Sequence, residues 1–299
     1  AQPMRVSFRT RAGASARTKQ EVPMPELPEI AIFARDMQRE LAGRTLAGIE
    51  VLQAKCLNLP VERFADALQG ARIAHVTSRG KWILVETDRG WLLLNLGMGG
   101  EILLTDRERL PEKRRALFDL APDDGGRPGS ALAVNHWWFG YCHYAADPAE
   151  HPMIARLGPD VRGLSLEGFR ARLAGRRGAI KTALLDQSRL AGIGNVYVQT
   201  PLWRAGIHPA RPIPTLSEGE IAALHREIQA VLEGSIAAGG APFELNLYGE
   251  KGGWDDPYLS HWEEGAPCSA CGTPLAKVRT GSTASYICPG CQKLAQRGP

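Results

Sequence analysis

Residues 268–291 read CSACGTPLAKVRTGSTASYICPGC, a C-x2-C-x16-C-x2-C pattern that sets Cys268 and Cys271 against Cys288 and Cys291 across an insert of hairpin length. Each pair offers two thiolates and the insert folds back between them, as a zinc ribbon does when it closes a tetrahedron. Two disulfides would use the same residues. No apolar leader stands ahead of them, and Cys56 and Cys142 are isolated and read as core residues, so a reducing compartment and one structural Zn2+ are expected. Four thiolates leave the ion no open position, so it shapes the chain and does no chemistry. Strands are expected over 275–279 and 284–287, with Gly281 in the turn.

Charge around this segment is uneven. Residues 268–299 carry Lys277, Arg279, Lys293 and Arg297 and no acid, whereas 243–267 carry six acids and Lys251. A basic hairpin beside an acidic approach suggests a face that meets an anion, although solvated charges on a terminal hairpin need no partner. The formal charge of +4 gives no such hint, because residues 1–23 hold five Arg or Lys and one Glu, leaving 31 basic and 31 acidic residues elsewhere. With 299 residues, 44% hydrophobic and 23% charged, the chain is long enough for two or three globular domains. Its densest apolar run, 91–96, is strand-length and contains Asn95, far short of the roughly 20 residues of a membrane helix. A cytoplasmic protein without a membrane span is expected.

Toward the N-terminus the pattern is first helical, then β-rich. Segments 221–236, 196–205, 180–185 and 164–173 keep helical spacing, and Ser217 with Glu220 makes a capping box. Between two of them lies Gly192-Ile193-Gly194-Asn195. Its glycines allow close backbone approach and its N–H groups could take a phosphate, yet such a turn also serves as a plain connection between helices. From 49 to 104, short apolar runs are broken by turns at Asp88-Arg89-Gly90 and at 97–100, and another run covers 131–139, which makes this half β-rich. The stretch 105–130 reads as loop with a hairpin turn at Asp123-Asp124-Gly125-Gly126. Ile30, Phe33, Ala34, Met37 and Leu41 recur at helical spacing, so a helix is expected after Pro28 with a stop at Gly43.

Residues 1–23, rich in Arg, Ser and Ala, read as a disordered or targeting extension, or as translation from upstream of the true start. A start at Met24 would leave Pro25 as the N-terminal residue once the methionine is trimmed. Free, it is a secondary amine with a pKa of about 8. Such an amine attacks an electrophilic carbon and forms an iminium, and Glu26 beside it could move protons. The same residues also suit a proline-rich approach to a helix.

Taken in order, Met24-Pro25-Glu26-Leu27-Pro28-Glu29, Arg79-Gly80-Lys81, Leu96-Gly97-Met98, Leu157-Gly158-Pro159-Asp160, Asp186-Gln187, Ala191-Gly192-Ile193-Gly194-Asn195-Val196-Tyr197 and Cys288-Pro289-Gly290-Cys291-Gln292 resemble the formamidopyrimidine-DNA glycosylase and endonuclease VIII family, the former more closely. The resemblance runs from Met24 to about Lys293. It implies an α+β, multidomain fold: an N-terminal β-sandwich with an N-terminal helix over 24–155, a helix-two-turns-helix domain over 156–262 and a zinc-finger hairpin over 263–299. Residues 1–23 would lie outside the mature protein. It also implies a monomeric bifunctional DNA glycosylase and AP lyase, acting in base-excision repair on double-stranded DNA with a damaged base or an abasic site. Pro25, Glu26 and Lys81 would form the catalytic set. Pro25 would attack C1′ of a flipped nucleotide, and Glu26 would be the proton donor at the sugar. Lys81 and Asn195 would hold the flanking phosphates, and Glu29 would support the N-terminal turn. Eversion suits such chemistry, since C1′ is hindered inside a stacked duplex. The damaged base would meet a loop within 240–258, whose Glu244, Asn246 and Trp254 do not choose between oxidised purines and pyrimidines.

Several positions depart from the family pattern. Asn95 stands where His precedes Leu-Gly-Met, and it can donate to a phosphate without carrying charge. Met98 and Phe139 match residues that fill the vacated base stack, but the Arg between them is Trp137, which stacks and offers no guanidinium fork to the orphaned base. A looser opposite-base preference is expected. Thr283 replaces an Arg of the finger, and Arg279 on the opposite strand is the expected substitute in DNA binding. Gln199-Thr200 stand where acids are usual. These departures favour, as the alternative, a weak or inactive member that binds damaged or branched DNA as a sensor. A zinc-ribbon interaction scaffold is the third reading, and the ordered motifs argue against it.

Overall fold

The computed structural model describes residues 24–123, 125–256 and 263–294. The extension 1–23, Asp124 of the expected turn, Tyr258 of the expected base loop and Arg297 lie outside the described residues.

Helix α1 (Leu27–Leu41) starts before Pro28, not after it. Pro28 sits in the first turn, where an absent N–H breaks no helical bond, and the Glu29 carboxylate accepts the Glu26 N–H at 3.0 Å. The stripe Ile30, Phe33, Ala34, Met37 and Leu41 is buried, and Gly43 (φ 84) carries the chain out of the helix. There follow β1 (Leu46–Val51), α2 (Val61–Leu68), β2 (Ile73–Arg79), β3 (Trp82–Thr87), β4 (Gly90–Asn95), β5 (Glu101–Thr105), β6 (Ala116–Leu120), β7 (Ser130–Asn135) and β8 (Tyr141–Ala145). The strands make two antiparallel four-stranded sheets, ordered β1-β6-β7-β5 and β2-β3-β4-β8.

Side chains from both sheets and from α1 and α2 fill one core. On β3 and β4, Ile83, Val85, Leu92 and Leu94 enter it, while Trp82, Leu84 and Leu93 pack on the other face against Ile154. Burial on both faces is why these strands read as unbroken apolar runs. The same effect hid β6 inside the stretch expected to be loop: Ala116, Phe118 and Leu120 point inward, and Leu117 packs against Leu110, Ala131 and Ala133. Its loop to β7 does fall at the expected turn, with the Gly126 N–H on the Asp123 carbonyl at 3.1 Å. Helix α2 also goes beyond the expected elements, since only Phe64 and Leu68 anchor it.

The second half packs α3 (Leu166–Leu173), α4 (Ile180–Leu185), α5 (Gln199–Arg204) and α6 (Glu218–Ala237) around Phe169, Leu184, Tyr197, Leu202, Leu224 and Ile228. Ser217 and Glu220 cap α6 reciprocally. Helix α5 is shorter than the expected 196–205: residues 195–198 form turns, with the Val196 and Tyr197 N–H groups on Glu26. The C-terminal hairpin pairs β9 (Ala276–Thr280) with β10 (Thr283–Ile287), and Gly281 (φ 61) lies in the turn. Three amide or ammonium groups fix it to the helices. The fully buried Lys181 donates to the Ala284 carbonyl at 2.6 Å and to Ser285 Oγ at 2.7 Å. Gln199 accepts the Tyr286 N–H at 2.8 Å, and Gln292 donates to the Ile207 carbonyl at 3.0 Å. Among the described residues, no helix is long and apolar enough to cross a membrane.

Candidate active site

Glu26 is the first residue ahead of α1 and is almost fully buried. Its carboxylate accepts the backbone N–H groups of Gly194 at 2.7 Å, Val196 at 2.9 Å and Tyr197 at 3.2 Å. The Gly194 N–H of the Gly192-Ile193-Gly194-Asn195 turn is thus taken by the protein's own Glu26, together with the Val196 and Tyr197 N–H groups that follow it. Lys81 Nζ lies 3.8 Å from the same carboxylate. The glycines make this approach feasible: Gly192 (φ 105) would direct a Cβ to 2.3 Å from Leu27 Cδ1, and one at Gly194 would lie 2.2 Å from both Glu26 Oε1 and Lys81 Nζ. The Leu27 N–H bonds the Gly192 carbonyl at 3.1 Å, which ties the sandwich's first residues to the helical half.

Glu29 forms a second buried layer. It accepts from Tyr197 Oη at 2.5 Å and from the Ala241 N–H at 3.1 Å, and Tyr197 Oη also lies 2.6 Å from Ser235 Oγ. Burial pushes the Glu29 carboxyl above its ordinary range, partly countered by these bonds. The structure therefore gathers Pro25, Glu26, Glu29, Lys81 and Asn195 at the junction of the two halves. Asn195 Oδ1 is buried without a hydrogen-bond partner, and its carbonyl accepts from Gln199 Nε2 at 2.9 Å. Gln199 thus links that turn to β10, donating to one and accepting from the other, which an acid could not do.

Asn95 is engaged within the fold: Nδ2 donates to the Lys81 carbonyl at 3.1 Å and Oδ1 accepts the Gly97 N–H at 3.1 Å. One amide hydrogen is left over. The Met98 loop pairs with the aromatic loop, Met98 N–H to the Trp138 carbonyl at 2.8 Å and Trp137 N–H to the Met98 carbonyl at 3.0 Å. Trp137, Trp138 and Phe139 are all exposed, and Phe139 (φ 58) is the only non-glycine residue with positive φ among the described residues. Holding it left-handed costs on the order of 1–2 kcal/mol. Sequence reasoning passed over Trp138, whose exposure beside its neighbours no spacing rule reveals. Arg279 is exposed on β9 opposite Ala284, its Nε donating to the Gly281 carbonyl at 3.3 Å.

Glu244, from the loop expected to meet the damaged base, is a further buried group. It is buried in the turn after α6, and its Oε1 has no hydrogen-bond partner. Burial, reinforced by the negative charges of Glu29, Glu26 and Glu101, raises its pKa to about 9. Because the folded value is raised, stability contributed by the neutral form is lost as pH rises from the unfolded value of 4.5 toward about 9. Glu244→Gln is therefore expected to be more stable than the parent by roughly 3 kcal/mol at pH 7 and equal to it at pH 4. Urea titrations at the two pH values measure this; a difference independent of pH would refute it.

The four hairpin thiols fit a single metal ion. Their sulfur atoms lie within 4.8 Å of one another, with Cys268–Cys291 at 3.9 Å, Cys271–Cys288 at 3.4 Å and Cys271–Cys291 at 3.5 Å. A tetrahedron with metal–sulfur bonds near 2.3 Å has edges of about 3.8 Å. Cys56 and Cys142 are buried in the sandwich core, as expected.

A β-sandwich whose first residues plug into the turn of a helical module, with a four-cysteine hairpin behind it, defines a helix-two-turns-helix protein of the glycosylase class. Residues 24–135 match the model of the formamidopyrimidine-DNA glycosylase N-terminal domain, and 157–245 match its H2TH domain. The formamidopyrimidine-DNA glycosylase of Paracoccus denitrificans is 37% identical over 285 residues, covering 90% of this chain and all of that protein. That of Chloroflexus aggregans is 34% identical over 279 residues, covering 91% and all of it. The Lactococcus lactis Fpg, solved in complex with DNA containing an abasic site, superposes with a TM-score of 0.81 at 26% identity over 90% of this chain and 100% of that one. The chain belongs to the formamidopyrimidine-DNA glycosylase family.

Proposed function

We propose that this protein is a base-excision repair DNA glycosylase with AP lyase activity, acting in the cytoplasm on duplex DNA that carries a damaged base or an abasic site. The observation that carries the reading is the Glu26 carboxylate, held by three backbone N–H groups and flanked by Lys81, directly after Pro25. With Pro25 as N-terminal residue, its amine attacks C1′ of an everted nucleotide, the damaged base leaves with the bonding electron pair and takes up a proton, and the attached nitrogen sheds its own. The nitrogen lone pair then opens the sugar ring to an iminium as Glu26 gives a proton to the departing ring oxygen, and loss of a C2′ proton with departure of the 3′ phosphate cleaves the strand. Lys81, Asn195 and the spare hydrogen of Asn95 hold phosphates, and Met98, Trp137 and Phe139 fill the vacated stack. The boundaries 24–155, 156–262 and 263–299 serve this division of labour. The cysteine hairpin takes Zn2+ as a structural ion and presents Arg279 to the DNA backbone.

In a chain that continues upstream of it, Pro25 is a tertiary amide without a nucleophilic lone pair. Borohydride reduction of a mixture with an abasic duplex is expected to yield a covalent adduct for protein beginning at Pro25, and none for the same protein retaining Met24. Equal trapping of both would assign the nucleophile to another amine. Tight binding with no adduct from either would favour the sensor reading, to which the replacements at Asn95, Trp137 and Thr283 point.

A further inference from the structure

A pocket of about 500 Å³ opens beside the aromatic loop, outside the junction that holds Glu26. It is lined by Trp137, Trp138, Lys113, Arg114 and Arg115, with Asn135 at the end of β7. Glu112 is the sole acid in the lining, so the pocket is net cationic. Arg115 Nε donates to the His136 carbonyl at 3.1 Å and so fixes the basic turn against the strand that leads into the tryptophans. Arg114 donates to the Pro111 carbonyl at 3.0 Å, while its Nε is buried and unpartnered. The indoles are 51% and 65% exposed, a large apolar area to leave in water unless something covers it. The volume suits one nucleotide, and paired aromatic and basic walls are what a base and its phosphate require.

Trp137 belongs to both places. Its N–H bonds the Met98 carbonyl, so it stands next to the residue expected to enter the stack, while its side chain forms a wall of the pocket. A base left without a partner when the damaged nucleotide turns outward would meet this indole first. Trp137 offers that base a face and no hydrogen-bonding fork, so the contact open to it is stacking.

We propose that this pocket receives the unpaired nucleotide of the strand opposite the lesion, its base stacked on Trp138 and its phosphate held by Lys113 and Arg114. The inference rests on the DNA-binding reading above and deepens it: opposite-base recognition passes from hydrogen bonding to stacking, so discrimination among partners is weak and purines are favoured over pyrimidines. Asn135 supplies an amide that donates and accepts at the base edge.

The test uses the whole protein and duplexes with a tetrahydrofuran abasic analogue in one strand. Opposite it stands adenine, 2-aminopurine or a second tetrahydrofuran. Trp138→Ala removes a side chain that is mostly exposed, and Lys113→Ala removes an exposed cation, so neither threatens the fold. With adenine opposite, Trp138→Ala is expected to bind about tenfold more weakly than the parent, roughly 1.4 kcal/mol. With the second tetrahydrofuran there is no base to stack, and parent and variant should bind alike. Emission of 2-aminopurine should be quenched at least about twofold by the parent and not by Trp138→Ala. Lys113→Ala should weaken binding to every duplex and make the salt dependence shallower by about one phosphate contact. Equal losses for Trp138→Ala on both duplexes, or no loss on either, would overturn the pocket's role while borohydride trapping still upheld the glycosylase. A parent protein that neither binds nor is trapped would overturn both.

Discussion

Gly194→Ala is expected to slow base excision by at least about 10²-fold, although it removes no functional atom. A methyl group there would lie 2.2 Å from Glu26 Oε1, 2.4 Å from Glu26 Cδ and 2.2 Å from Lys81 Nζ. The lysine end can swing aside. The carboxylate cannot, because the N–H groups of Gly194, Val196 and Tyr197 all converge on it. Moving it leaves up to three buried donors unpaired, each at a cost of about 1–3 kcal/mol, and shifts the group proposed to protonate the sugar. Gly178→Ala is the matched control, since a Cβ there meets nothing within 4 Å. Single-turnover excision and thermal unfolding of the two variants measure the effect; a wild-type rate for Gly194→Ala would show that the seat of Glu26 does not set the chemistry.

Cys288→Ser should release the metal and reduce DNA affinity by at least about 10²-fold while leaving the N-terminal sandwich folded. Structural zinc in small cysteine-rich units contributes on the order of 10–16 kcal/mol to folding. Without it, the hairpin keeps the Lys181, Gln199 and Gln292 anchors. Each such bond is worth about 1 kcal/mol, against an ordering cost of about 1–2 kcal/mol per residue. The hairpin then detaches and takes Lys277 and Arg279 with it. Metal analysis, circular dichroism and salt-dependent DNA titration report the three parts of the result. Arg279→Ala tests the smaller claim by itself, with metal retained and a salt slope shallower by about 0.9. A metal-free Cys288→Ser that still bound DNA like the parent would remove the hairpin from the DNA interface.

Much of the site is legible in the sequence because its signals are local. Cys268, Cys271, Cys288 and Cys291 declare a metal by spacing, and their sulfurs do converge. The stripe of α1 follows from period 3.6, and every member is buried. Strand β6 was missed because four of its five residues are buried, on both faces of the sheet, and show no alternation. Gln199 gave no hint of its place, since a neutral residue where acids are usual becomes meaningful only when Asn195 and Tyr286 stand on either side of it.

The sequence by itself determined the class of fold, the four-cysteine cluster and the identity of the residues beside Pro25, all of which depend on spacing along the chain. Only the tertiary structure decided what those residues do to one another. It made a loop that the sequence left open between phosphate binding and a plain connection part of the seat of Glu26, and it buried Glu244, beside the charges of Glu29, Glu26 and Glu101, so that its pKa is raised. It also set Trp137 and Trp138 across a cationic pocket. Each of these depends on groups many residues apart that meet in a medium of low dielectric, where a missing partner or a nearby charge outweighs any local propensity.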